Sequence, residues 1–280
     1  MQKLFNKEQE AHIIALYQTG LSTLKLSKQY NCSPGAINNV LKRNNVQLKS
    51  NKEYRRLYSL DHDFFENIDT EEKAYWLGFL YADGNVRITK SGQHMIQLKV
   101  NDREVIEKFL KSIKSNMPIG EYKNYNNKYI FGAHITSDKM FADLCKHGCV
   151  PNKSLILTFP VITEELIPHF IRGYFDGDGG ITIRKLTWNR KRTGETITKE
   201  EVKIYFNGTK EMLDGINSNF YIGTVCKEKR RPSSNTWYVQ SDKVEKTKSF
   251  YEYLYKNATI YLSRKKNKFD NFYKKNVQRL

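Results

Sequence analysis

Acidic residues are in short supply in this chain. Asp and Glu number 30 against 47 Lys and Arg, a net charge of +17 over 280 residues. The excess runs along the whole sequence and is not confined to a tail. A folded protein this basic usually meets a polyanion, with nucleic acid the first candidate. Cysteine is also scarce. Cys32, Cys145, Cys149 and Cys226 form no disulfide framework for a chain of this size. The spacing in "CKHGC" (Cys145 to Cys149) is unlike a zinc ribbon, and no second pair completes it, so reduced thiols beside a helix are expected. No apolar run approaches the length of a membrane span. The opening "MQKLFNKEQEAH" lacks the apolar core of a signal peptide. An intracellular protein is expected, in the cytoplasm or nucleoid of a bacterial or phage-infected cell or in an organelle, with no membrane partner.

What is present begins with three short helical patterns over residues 6–45. The first carries Ile13, Ile14, Leu16 and Tyr17 and stops at Gly20. The second turns Leu24, Leu26 and Tyr30 inward. The third starts with Ser33 as N-cap and Pro34 at its first position, and buries Ile37, Val40 and Leu41. With the short turn "NCS" before the third helix, this reads as a helix-turn-helix DNA-binding domain over 1–48, whose last helix lies in the major groove. Gly35, Asn38, Asn39 and Lys42 are its candidate reading residues, and Arg43 is available for a phosphate. Residues 49–68 read as a linker, with "DHD" (Asp61 to Asp63) an acidic loop patch.

From residue 69 the chain looks like two copies of one plan, 69–162 and 163–280. Each opens with a helix ending in Asp-Gly, followed by alternating strands, a helix, more strands and a helix. "VNDREVIEKF" and "FNGTKEMLDG", both strand-turn-helix, are the best internal sign of duplication. The first Asp-Gly helix is expected to start at Asp69 with Glu72 completing a capping box; the second starts near Pro168. Small residues recur four apart: Ala74, Gly78 and Ala82 in one, Gly173 and Gly177 in the other. Residues four apart share one helix face, and a glycine inside a helix costs about 1 kcal/mol relative to alanine. Such a cost at matching positions points to close backbone contact between the two helices. Their C-terminal ends would then bring Asp83 and Asp178 together, each followed by a helix-ending glycine, Gly84 or Gly179. A helix C-terminus already carries partial negative charge, so such a site favours a divalent cation. Hard oxygen ligands with open positions suit Mg²⁺ (or Mn²⁺). In a basic protein, metal-assisted phosphodiester cleavage follows.

"WLGFLYADG" (Trp76 to Gly84) and "IRGYFDGDG" (Ile171 to Gly179) resemble the paired signature of the LAGLIDADG (dodecapeptide, DOD-type) homing endonucleases, over roughly residues 69–275. The resemblance implies an α+β fold of two pseudo-symmetric αββαββα units forming a DNA-binding saddle, beside the small all-α helix-turn-helix domain. It implies that Asp83 and Asp178 bind the catalytic divalent metals, helped by the backbone carbonyls of Ala82 and Gly177. It implies a basic residue late in each unit. "GCVPNKSLILTFP" points to Lys153, and "IYLSRKKNKF" points to Lys265 with Lys266 as the alternative. These lysines would stabilise charge on the phosphate or tune the attacking water. Gln93, placed on the second strand of the first unit, is matched to a water-organising polar position. Tyr81 stands where the family often has an acidic residue.

The implied activity is site-specific double-strand cleavage by a monomer on a long, partly tolerant DNA target, as in intron homing by a mobile genetic element. A non-cleaving DNA-binding regulator and an intron maturase are the alternatives on the same scaffold. Strand alternation offers Arg87, Gln97 and Lys99 in the first unit, and Arg184, Lys203 and Tyr205 in the second, as DNA contacts. Alternating side chains point to opposite faces, so not all are expected to reach DNA. The basic loops add Arg190, Lys191, Arg192, Lys229, Arg230 and Arg231 as phosphate contacts, which give affinity with little sequence information.

Overall fold

The computed structural model describes residues 4–48, 58–124, 126–229 and 235–276, and the chain divides into one unit ending at Ser59 and another beginning at Leu60. In the first unit every helix starts at a capping side chain. Asn6 caps α1 (Lys7–Gln18) in a reciprocal pair with Gln9. Ser22 caps α2 (Thr23–Gln29), and Ser33 caps α3 (Pro34–Arg43). Ile13, Tyr17, Leu26, Ile37, Val40 and Leu41 make the core. Leu24, expected inward, is exposed instead; it sits at the second position of α2, whose inner face is taken by Leu26 and Ser27.

In the second unit, α4 (Glu71–Asp83) leads into β1 (Gly84–Ile88) and β2 (His94–Val100). Next come α5 (Arg103–Ser112), β3 (Gly120–Lys123), β4 (Tyr129–Thr136) and α6 (Asp138–Lys146). The order then repeats as α7 (Ile167–Gly177), β5 (Gly180–Asn189), β6 (Thr196–Gly208), α8 (Lys210–Asn219), β7 (Cys226–Lys227), β8 (Trp237–Ser241) and α9 (Val244–Tyr255). A further helix, α10 (Ser263–Asn276), closes the described chain. Both sheets are four-stranded and antiparallel, ordered β1-β2-β4-β3 and β5-β6-β8-β7. Their inner faces bury Val86, Ile96, Leu98, Ala133 and Ile135 in one, and Ile181, Val202, Ile204, Phe206 and Val239 in the other.

Four expectations change. The N-cap of α4 is Thr70, whose hydroxyl accepts from the Lys73 N–H, while Asp69 pairs with Lys73 at 2.8 Å. Glu72 makes no capping box; its carboxylate accepts from Ser112, which in turn accepts from the Trp76 indole at 2.7 Å. The end of the expected linker packs inward, with Phe64 and Phe65 in the core of the second unit. Strand β3 and helix α10 were not anticipated. β3 is largely exposed and gives no alternation. In α10 the buried positions Phe269, Phe272 and Tyr273 are outnumbered by lysines.

Candidate active site and nucleic-acid interface

The two Asp-Gly helices pack face to face along their small residues. A Cβ added to Gly78 would lie 2.1 Å from the Phe170 carbonyl oxygen, and one added to Gly173 would lie 1.9 Å from the Tyr75 carbonyl oxygen. An offset of 95 residues relates 78 to 173 and 75 to 170, so the contact is reciprocal. Ala82 and Gly177 obey the same offset and meet directly: a Cβ on Gly177 would fall 2.3 Å from that of Ala82. Neither Gly84 nor Gly179 adopts the left-handed conformation expected of a helix-ending glycine. Gly84 is extended, at φ −72° and ψ 143°. Close approach explains both glycines, because a Cβ would strike Leu80 at one and Phe175 at the other.

Asp83 ends α4 and Asp178 caps α7. Protein crowding, then the neighbouring Asp83, push the Asp178 carboxyl up to about 6. Crowding also raises Asp83, opposed by Lys265 and Lys153. Both side chains remain open to solvent, so water screens part of this penalty. The two carboxylates and two lysines therefore share one electrostatic neighbourhood.

Lys153 lies in a single 3₁₀ turn behind Asn152, whose φ is +57°. It is buried, and its amine donates to the Gly84 carbonyl. Lys265 sits in the first turn of α10, an unfavourable place for a cation. Its buried amine reaches the negative end of α7, within hydrogen-bonding distance of the carbonyls of Phe175, Asp176 (2.8 Å), Gly177 (3.3 Å) and Gly179. Burial brings its ammonium down to about 8. Gly84 and Gly179 are related by the 95-residue offset, so each lysine grips the carbonyl just past its own aspartate. Lys266 is committed elsewhere, to Asp270 at 2.9 Å and to the rings of Tyr251 and Tyr261.

Among the described residues, no group of three or more His, Cys, Asp or Glu could hold a metal. The helix ends do fit a hard cation that accepts few protein ligands. They offer two solvent-open carboxylates, of which Asp83 raises Asp178, and such a cation takes its other ligands from water or phosphate.

Sequence reasoning missed the groups that brace this site. Asp176 is buried and accepts from the hydroxyls of Tyr75 (3.0 Å) and Tyr255 (3.1 Å) and from the Leu262 N–H (2.7 Å). Tyr81, at the matching position of α4, donates its hydroxyl to the His147 carbonyl. Buried Arg172 donates to the carbonyls of Leu254 (2.7 Å) and Ile260 (2.9 Å) and to Glu71 (2.6 Å). An arginine inside the apolar run "FIRGYF" was the available signal.

The strand register places Arg87, Gln97 and Lys99 on one face of the first sheet, opposite Val86, Ile96 and Leu98. Arg184, Lys203 and Tyr205 share the corresponding face of the second. There they line a hollow of about 490 Å³ with Thr182, Tyr238 and Gln240. Gln93 does not lie on β2: it is in the hairpin turn before it, bonded through its backbone to Thr89. Gln97 is the polar side chain opposite Asn85, two residues past Asp83, and contacts His134 at 2.6 Å. Tyr205 holds that place in the second half, its ring over Gly180. Arg190, Lys191 and Arg192 are exposed at the β5–β6 turn, with Arg190 near Glu195 at 3.3 Å. Lys229 reaches the hollow; Arg230 and Arg231 lie outside the described residues. In the first unit Gly35, Asn39 and Lys42 are exposed, and Asn38 is half-buried. Arg43 is paired with Glu10.

Residues 171–276 match the family model described as LAGLIDADG endonuclease. Over that segment, from α7 to the end of α10, the chain is similar to the LAGLIDADG endonucleases. The LAGLIDADG homing endonuclease I-LtrWI, solved bound to its target DNA, shares the fold at a TM-score of 0.51 and 11% identity, over 71% of this chain and 88% of that one. The meganuclease I-CpaMI, solved bound to uncleaved DNA, aligns at a TM-score of 0.47 and 10% identity, over 75% and 92%. No curated protein matches the sequence. The family match opens at Ile171, inside α7. Among the described residues, no helix is long and apolar enough to cross a membrane.

Proposed function

We propose that this protein is a site-specific, double-strand DNA endonuclease, acting as a monomer whose two halves are related by a pseudo-twofold axis between α4 and α7. The observation that carries the proposal is the shared electrostatic neighbourhood of Asp83, Asp178, Lys153 and Lys265 at the adjoining ends of those helices. Asp83 and Asp178, with the carbonyls of Ala82 and Gly177, would hold divalent cations, Mg²⁺ or Mn²⁺. Bound there, such a cation supplies Lewis-acid polarisation of the scissile phosphate. Lys153 and Lys265, held by the carbonyls of Gly84 and Gly179, fix positive charge beside the position where negative charge grows in the transition state. The basic faces of the two sheets, as a saddle, hold the duplex in its major groove. Helices α1–α3 act as a helix-turn-helix domain that lengthens the recognised site, with Asn38, Asn39 and Lys42 toward the bases.

The test is incubation with a randomised plasmid library and Mg²⁺, followed by sequencing of the cut ends. Wild-type protein yields one family of cut sites, while Asp83→Asn and Asp178→Asn yield none. Binding of that site without cleavage by the wild type would favour a DNA-binding regulator instead.

A further inference from the structure

The hairpin β5–β6 is much longer than its counterpart β1–β2. Strand β5 has 10 residues where β1 has 5. The extra five residues extend the ribbon by about 17 Å, which spans about five base pairs at the rise of duplex DNA. Its two faces differ. The side continuous with Tyr205, Lys203, Thr182 and Arg184 goes on to Leu186 and Trp188, paired with Lys199 and Ile197. Leu186 is 41% exposed and Trp188 45%. The opposite side carries Lys185, Glu200 and the hydroxyl pair Thr187 and Thr198, in contact at 3.2 Å. Both sides of the extension are exposed, and the apolar tip lies on the side lined with Arg184 and Lys203. Lys191 and Arg192 at the turn stand ready for phosphates. A two-stranded ribbon fits the major groove, where thymine presents a C5-methyl for apolar contact.

We infer that the two half-sites are unequal: β5–β6 reads about five more base pairs than β1–β2 does, and Leu186 and Trp188 select thymine methyls at those outer positions. The inference rests on the endonuclease reading above. On a target obtained by cleavage selection, the footprint extends further from the cut on one side. Replacing single thymines by deoxyuridine removes only the methyl. Each such change in the outer segment of the long side weakens wild-type binding about fourfold per buried methyl, and the same change on the short side's edge does nothing. In the double variant Leu186→Ala and Trp188→Ala, which removes two exposed side chains, that discrimination disappears while the melting temperature holds. A symmetric footprint on a cleaved site, or indifference of the wild type to deoxyuridine, overturns the inference alone. Absence of any DNA binding overturns the endonuclease reading as well.

Discussion

The two halves of the second unit perform the same task at one helix position with opposite chemistry. In the C-terminal half, position 176 is a buried carboxylate that accepts three hydrogen bonds, one from the Leu262 N–H three residues before Lys265. In the N-terminal half, position 81 is a tyrosine that donates one, to the His147 carbonyl six residues before Lys153. Each fastens the segment that delivers its lysine to the helix end. The carboxylate costs more to bury, and burial raises the Asp176 carboxyl; two tyrosines and a backbone amide compensate it. Tyrosine asks for one partner and fills the space with its own ring. The residue type at the matching positions 81 and 176 thus follows whether the segment opposite presents an acceptor or donors.

The comparison can be broken at several strengths. The reciprocal glycines should be the most sensitive. Gly78→Val and Gly173→Val each drive side-chain atoms into a backbone carbonyl of the opposing helix, and both should lose more than about 3 kcal/mol in chemical denaturation, or fail to fold. Tolerance of one and not the other would show that the helix contact is not reciprocal. Asp176→Ala leaves three buried donors without their acceptor and should cost about 3 kcal/mol or more. Tyr81→Phe removes a single hydrogen bond and should cost only about 1 kcal/mol by the same measurement. Equal losses would mean that the two residues are not alternative solutions to one task.

The smallest effect concerns pH. The Asp178 carboxyl is held at about 6 in the folded protein, above its unfolded value of roughly 3.9. Its contribution to stability is fully present below about pH 4 and is lost as pH rises through 6. In metal-free buffer Asp178→Asn should therefore melt above the wild type at pH 7.5 by on the order of a degree or two, since water screens part of the effect. The difference should close near pH 4.

Much of this arrangement was legible beforehand. Matching glycines at 78 and 173 and the repeated Asp-Gly ending sufficed to bring the two helices, and with them Asp83 and Asp178, to one place. Alternation allowed only some of Arg87, Gln97, Lys99, Arg184, Lys203 and Tyr205 to share a face, whereas the strand register puts all of them on one face of their sheet. What escaped was long-range and polar. The partners of Asp176 lie at 75, 255 and 262, and nothing local marks them as neighbours. Helix α10 hid behind its lysines, so Lys265 could not be told from Lys266 until the helix set one toward α7 and the other toward Asp270. Gln93 lies in the turn, one residue before β2 begins at His94.

The central claim is that Asp83 and Asp178, from separate halves of the chain, serve one cation-binding locus. Titration of Mn²⁺ into the DNA-bound protein, followed by electron paramagnetic resonance, tests it directly. Loss of bound Mn²⁺ in both Asp83→Asn and Asp178→Asn is the predicted result; wild-type binding retained by both variants would contradict it.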